Sequence, residues 1–209
     1  MAVADGAGSA SRAEVGSKCA VDASLQYLFE HLEAGQPETA DDCRVLLENT
    51  LRQARVTLQE IAPGEKINEV ATTLLLTLVT SRWLGTIQVG DGAVVCRDLL
   101  GNLRVLSQLG QSEYINETTF LTSSDYVKHV HHVTMPSDEI SGLAMMSDGI
   151  EFLALRYADN SAHEPFFRSM FEFAENPAST DAELAEFLRS ERVCERTDDD
   201  KTLVLSVRS

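Results

Sequence analysis

Basic residues are scarce in this sequence. The chain has 209 residues, with 17 Lys and Arg against 33 Asp and Glu, a net charge of −16. That balance disfavours nucleic acid and anionic membrane surfaces as partners. No run approaches the ~20 apolar residues of a membrane span, and no basic-then-apolar segment opens the chain. Cysteine is sparse too: Cys19, Cys43, Cys96 and Cys194 are scattered without a Cys-x-x-Cys pair. They read as reduced thiols of a cytoplasmic protein. There is no P-loop, no Gly-x-Ser-x-Gly, no Cys-x5-Arg nucleophile loop and no EF-hand loop. Internal repeats and low-complexity linkers are missing as well. The 44% hydrophobic content fits a soluble globular protein. One domain over residues 1–209 is the default at this length.

What the chain does have is carboxylates where apolar strands end. Leu143-Ala144-Met145-Met146-Ser147 reads as a buried strand that delivers Asp148-Gly149 to a sheet rim. Ala2-Val3-Ala4-Asp5-Gly6 has the same form. Thr197-Asp198-Asp199-Asp200-Lys201-Thr202 leads into the strand Leu203-Val204-Leu205. A single Asp-Gly is also a common hairpin turn. Three such acidic points suggest a fold that gathers them. Gathered carboxylates repel one another and need compensation. A hard divalent cation (magnesium, calcium or manganese) is the usual answer. A calcium-binding structural protein fits the acidity but lacks its loop.

Taken in order, Ser11-Arg12-Ala13-Glu14 predicts a capping box and a helix with Val21, Leu25, Leu28 and Leu32 on its inner face. A second helix should start after Thr39, bury Cys43, Leu47, Leu51, Ala54 and Leu58, and stop at Pro63-Gly64. Strands are expected over 72–79, 83–89, 93–97, 103–107, 126–135 and 202–207, as an antiparallel meander with no βαβ series. Residues 110–122 read as either a plain surface loop or a flap. His129, His131 and His132 invite a zinc reading. In a strand, however, only His129 and His131 share a face, and no cysteine is near, so that reading is weak. A short helix is expected over 149–155. A longer one over 164–175 should turn Phe166, Phe167, Met170 and Phe173 inward, and a last one should be capped by Thr180 to Glu183.

Val3-Ala4-Asp5-Gly6-Ala7-Gly8-Ser9, Val89-Gly90-Asp91-Gly92, Ser147-Asp148-Gly149 and Asp199-Asp200-Lys201-Thr202 follow one another in that order. So arranged, the sequence resembles the metal-dependent protein phosphatase 2C family, in its compact bacterial branch. The segment from Gly110 to Thr122 is similar to one typical of that branch. The resemblance implies an α+β fold: a four-layer α-β-β-α sandwich with two mostly antiparallel sheets. It implies hydrolysis of phosphoserine and phosphothreonine on proteins by a metal-bound hydroxide, with two Mn2+ or Mg2+ ions and a weaker third. By resemblance Asp5 bridges both ions, Gly6 offers its carbonyl, and Asp148 and Asp199 hold one ion. Asp198 competes with Asp199 for that role by one residue of register. Asp91 matches the aspartate of the third ion, and a hairpin turn is its plainer reading.

Two departures from the family pattern stand out. Ala71-Thr72-Thr73 replaces Gly-Thr-Thr or Gly-Ser-Thr. The family also carries strands ahead of Asp-Gly, with a further acidic ligand, whereas Asp5 is the fifth residue here. The domain is therefore expected to lack its opening strands and to show low, manganese-demanding activity. The expected partners are a phosphorylated protein substrate and a cognate Ser/Thr kinase, with no nucleic acid and no membrane. The alternative is a catalytically weak or inactive phosphatase-like module that binds a kinase or other signalling partner.

Overall fold

The structure is a computed structural model and describes residues 1–107, 118–156 and 158–208. In chain order the elements are β1 (Ala2–Val3), α1 (Ala13–Ala34), α2 (Ala40–Ile61), β2 (Leu74–Val79), β3 (Trp83–Val89), β4 (Ala93–Asp98) and β5 (Leu103–Val105). Then come β6 (His131–Pro136), β7 (Ile140–Met146), α3 (Glu151–Ala154), β8 (Leu155–Arg156), β9 (Ser161–Ala162), α4 (Glu164–Glu175), α5 (Asp181–Arg189), α6 (Glu191–Cys194) and β10 (Leu203–Val207). One four-stranded sheet has the order β1-β2-β3-β6, the other β10-β7-β4-β5, and β8 pairs with β9. All pairings are antiparallel. The expected α+β class with antiparallel sheets is therefore found. The chain divides into two compact units, Met1–Asp91 with Ser107–Asp138, and Gly92–Leu106 with Glu139–Ser209.

In the first unit α2 is fixed at its start by a reciprocal cap. The Asp42 amide donates to Thr39 Oγ1 at 3.1 Å and the Thr39 amide donates to the Asp42 carboxylate at 2.9 Å. Its buried stripe is the expected one, Cys43, Leu47, Leu51, Ala54 and Leu58. The sheet meets it with Leu74, Leu76, Leu78, Ile87 and Val89. Contact is close because Gly85 has no side chain: a Cβ there would stand 2.6 Å from Cys43 Sγ.

Helix α1 differs from expectation. Arg12, not Ser11, is its N-cap, and no side chain caps it. Its buried residues are Gly16, Ala20, Ser24 and Leu28, so of the expected face only Leu28 is buried. The reason is proximity, since a Cβ on Gly16 would lie 2.2 Å from the Val70 carbonyl oxygen. Small residues let α1 approach the 3-10 turn Gly64–Val70, and the larger ones flank that contact. The expected strand over 126–135 is also corrected. Tyr126–His129 is a 3-10 turn, and only His131 onward is strand. His129 and His131 therefore share no strand face, which removes the premise of the zinc reading.

In the second unit β7 lies between β10 and β4 and is buried along most of its length. Helix α4 turns Phe167, Met170 and Phe171 inward. Phe171 replaces the expected Phe166 and Phe173, which are half-buried. Gly142 makes room for it, because a Cβ there would stand 2.8 Å from the Phe171 ring. Arg97 lies over that ring, 4.6 Å from its centroid, and pairs with Glu175. Helix α5 starts at the expected reciprocal cap between Thr180 and Glu183.

Candidate active site

The sequence-derived residues fall at two corners, one in each unit. At the first, β1 ends and Asp5 follows. The Asp5 amide donates to Thr73 Oγ1 at 2.9 Å. The Asp5 carbonyl accepts from the Thr73 amide at 2.8 Å and from the Thr72 hydroxyl at 2.8 Å. Asp5 is thus clamped on its backbone by two buried threonines. Gly6 follows in a bridge to Thr72. A Cβ on Gly6 would lie 2.7 Å from Ala13, so glycine is needed where the chain enters α1.

Thr73 also reaches the β3–β4 turn. Gly90 has φ +110°, and a Cβ there would stand 2.4 Å from Thr73 Cγ2. Asp91 comes next and accepts a hydrogen bond from the Thr118 hydroxyl. The Leu121 amide donates to the Thr72 carbonyl at 2.8 Å. Arg55 holds the Leu121 and Ser123 carbonyls, the latter at 2.9 Å. Of the expected flap over 110–122, residues 118–122 are anchored this way, and the remainder lies outside the described residues. Thr72, Thr73 and Arg55 are supports that sequence reasoning missed. Only the motif position of Ala71-Thr72-Thr73 hinted at the first two.

At the second corner β7 delivers Asp148 into a 3-10 turn. The buried Ser147 joins this corner to the acidic loop before β10. Its amide donates to the Thr202 carbonyl at 3.2 Å, and its hydroxyl to the Asp200 carbonyl at 3.2 Å. A Cβ on Gly149 would meet that same Asp200 oxygen at 2.0 Å. The loop is internally ordered. The Asp200 amide donates to Asp199 Oδ1 at 2.9 Å, and the Lys201 ammonium to the Asp199 carbonyl at 2.7 Å. Of the two register candidates, Asp199 is the one whose carboxylate a backbone amide orients.

Asp5, Gly6 and Asp91 are therefore linked through Thr72 and Thr73, and Asp148 and Asp199 through Ser147 and Gly149. Among the described residues, no group of three or more Asp, Glu, His or Cys side chains is gathered as a ready-made metal cage. Among the described residues, the candidate donors at these corners are carboxylate and carbonyl oxygens. Such a set fits magnesium or manganese.

Comparison with known proteins gives the class. The sequence profile of the family "Protein phosphatase 2C" matches residues 1–189. Serine/threonine-protein phosphatase 3 of Escherichia coli (strain K12) is 33% identical over 210 residues, covering 98% of this chain and 82% of that protein. A serine/threonine phosphatase from Staphylococcus aureus has a similar structure, with a TM-score of 0.66 at 15% identity, covering 100% of this chain and 83% of that one. The catalytic domain of the serine/threonine protein phosphatase PstP, solved with two manganese ions, superposes with a TM-score of 0.63 at 19% identity, covering 98% of this chain and 84% of that one. The fold is thus that of bacterial serine/threonine phosphatases. The chain belongs to the protein phosphatase 2C family, and by class it is a protein serine/threonine phosphatase.

Proposed function

We propose that this chain removes phosphate from phosphoserine and phosphothreonine in proteins, with manganese or magnesium as cofactor. The observation that carries this reading is the pair of Asp-Gly corners, all-oxygen in their donors and braced by backbone hydrogen bonds. Asp5, the Gly6 carbonyl, Asp148 and Asp199 would hold two ions, and Asp91 a weaker third. Such ions, when bound, lower the pKa of water far below its bulk value, toward about 7. The chain's own part is preorganisation. Thr72 and Thr73 fix Asp5, while Ser147 and Gly149 fix Asp148 against the acidic loop, so the backbone within each corner is already held before an ion binds. A second argument is charge. A chain of net charge −16 repels a phosphorylated substrate, and divalent ions reverse that sign locally. That PstP was solved with two manganese ions supports this class of cofactor.

Residues 1–209 are read here as one phosphatase 2C-like domain that acts on a phosphoprotein made by a Ser/Thr kinase. The segment 110–122 is read as a flap that helps choose the substrate. A cytoplasmic location fits the four free thiols. Among the described residues, no helix is long and apolar enough to cross a membrane.

The test is phosphate release from a phosphothreonine peptide as manganese is raised, with calorimetric titration of manganese alongside. Wild type should release phosphate only with the metal. Asp148→Asn and Asp199→Asn should each lose about tenfold or more in manganese affinity while still folding. No release at any manganese concentration would favour a phosphatase-like module that docks a kinase. Unchanged manganese binding in both variants would remove these two aspartates from the metal site.

A further inference from the structure

The second unit carries a cavity that the proposed reaction does not use. It measures about 490 Å³ and opens among α3, α4, α5 and α6. Phe152, Phe166, Phe187 and Met170 are among its apolar lining residues. Phe152 is 69% exposed, which is unusual for so large an apolar ring. The Phe166 and Phe187 rings are neighbours, tilted 45° to one another with centroids 6.5 Å apart. They form a pre-built aromatic floor.

The rim has the opposite character to the chain. Arg156, Arg192, Arg196 and His163 line it, and no Asp or Glu is among its described lining residues. In a chain where acidic residues outnumber basic ones 33 to 17, that is a local reversal of charge. Arg192 and Arg196 form no ion pair among the described residues. Arg156 acts on Asp159 only as a secondary influence, since that carboxyl is held below its usual range first by the Ser161 hydroxyl. His163 Nδ1 lies 3.1 Å from the Leu153 carbonyl, which can only accept, so Nδ1 carries the hydrogen. The ring is thereby fixed at the rim.

We propose that this cavity docks an acidic peptide segment of a partner protein, with one bulky apolar side chain on the aromatic floor and flanking carboxylates on the arginines. Aromatic and arginine side chains are the usual anchors of protein interfaces, and charge complementarity sets partner choice and on-rate. A bare inorganic anion would leave the aromatic floor uncovered. An anionic bilayer would be repelled by the remaining surface of this acidic chain. Docking one segment of a partner in this cavity would raise the effective concentration of any second segment on the same partner.

Fluorescence anisotropy with short labelled peptides tests this. One peptide holds a central Phe between Asp and Glu residues, a second replaces Phe with Ala, and a third replaces the acids with Lys. The first should bind, and more weakly as salt rises. The other two should bind at least about tenfold more weakly. Arg192→Glu with Arg196→Glu should lower affinity for the first peptide about tenfold or more. Arg192→Gln with Arg196→Gln should show a smaller loss in the same direction, and it serves if the reversed pair fails to fold. Failure of wild type to bind the first peptide would overturn the proposal. So would equal affinity for the Ala peptide, unchanged affinity in both variants, or binding to phosphatidylserine vesicles without binding the peptide.

Discussion

Ser147 and Thr202 hold each other twice. The Ser147 amide donates to the Thr202 carbonyl at 3.2 Å, and the Thr202 amide donates back to Ser147 Oγ at 3.1 Å. The same hydroxyl donates to the Asp200 carbonyl. One small side chain thus fixes the end of β7 against the start of β10, with an aspartate candidate on each side. Ser147→Ala should strand the Thr202 amide and free the acidic loop. The expected loss is about 1–2 kcal/mol, together with weaker manganese binding. Urea denaturation and calorimetry measure the two effects. An unchanged urea midpoint would mean that the hydroxyl bonds add nothing to the fold.

Gly149 gives a sharper case. A Cβ there would stand 2.0 Å from the Asp200 carbonyl oxygen, which is backbone and cannot swing aside like a flexible side-chain end. Gly149→Ala should therefore push the acidic loop away from Asp148. A cost of about 1–3 kcal/mol is expected, with a fall in manganese affinity. Gly8→Ala is the control, since nothing lies within 4 Å of its added Cβ. Thermal melts of both variants check this. Equal melting temperatures would show that the close approach at Gly149 relaxes freely.

The sequence was most legible where local chemistry decides structure. Helix α2 begins after Thr39 and α5 after Thr180 because each start is a reciprocal side-chain to backbone cap, which depends on residues three apart. Strand β3 matches its expected bounds, Trp83 to Val89, because apolar and turn residues switch sharply there. Helix α1 was misread because its contact face is built from Gly16, Ala20 and Ser24, which a search for large apolar residues passes over. The hairpin of β8 and β9 has two residues per strand, and α6 has four residues, so neither has a period to detect. At the site, the Asp-Gly pairs were visible as local signals. Their clamps were not, because Thr73 meets Asp5 across 68 positions and Arg55 meets Leu121 across 66.

The cysteines should differ in reactivity. Burial pushes the Cys43 thiol up to about 11 and moves Cys96 upward as well. A raised pKa keeps these thiols protonated through neutral pH, and the thiolate is the nucleophile. Cys194 is exposed. Iodoacetamide at mildly alkaline pH should modify Cys194 at least about tenfold faster than Cys43 or Cys96, as peptide mass spectrometry would show. Equal labelling of all three in the folded protein would contradict the burial.

Asp91 can be separated from the turn that holds it. The turn geometry belongs to Gly90, whose φ of +110° and contact with Thr73 leave no room for a side chain. Asp91 contributes a carboxylate that accepts the Thr118 hydroxyl. Asp91→Asn keeps the size and one carbonyl acceptor, so the Thr118 contact can persist while the charge is lost. Melting temperature should then stay within about 2 °C. Turnover of a phosphothreonine peptide should fall about tenfold or more, and half-maximal rate should require more manganese. Gly90→Ala should do the reverse in emphasis, losing about 1–3 kcal/mol from strain and from collision with Thr73. Comparing the two variants by thermal melts and by manganese-dependent turnover assigns each residue its part. Early melting of Asp91→Asn with wild-type turnover would make its carboxylate a turn residue and nothing more.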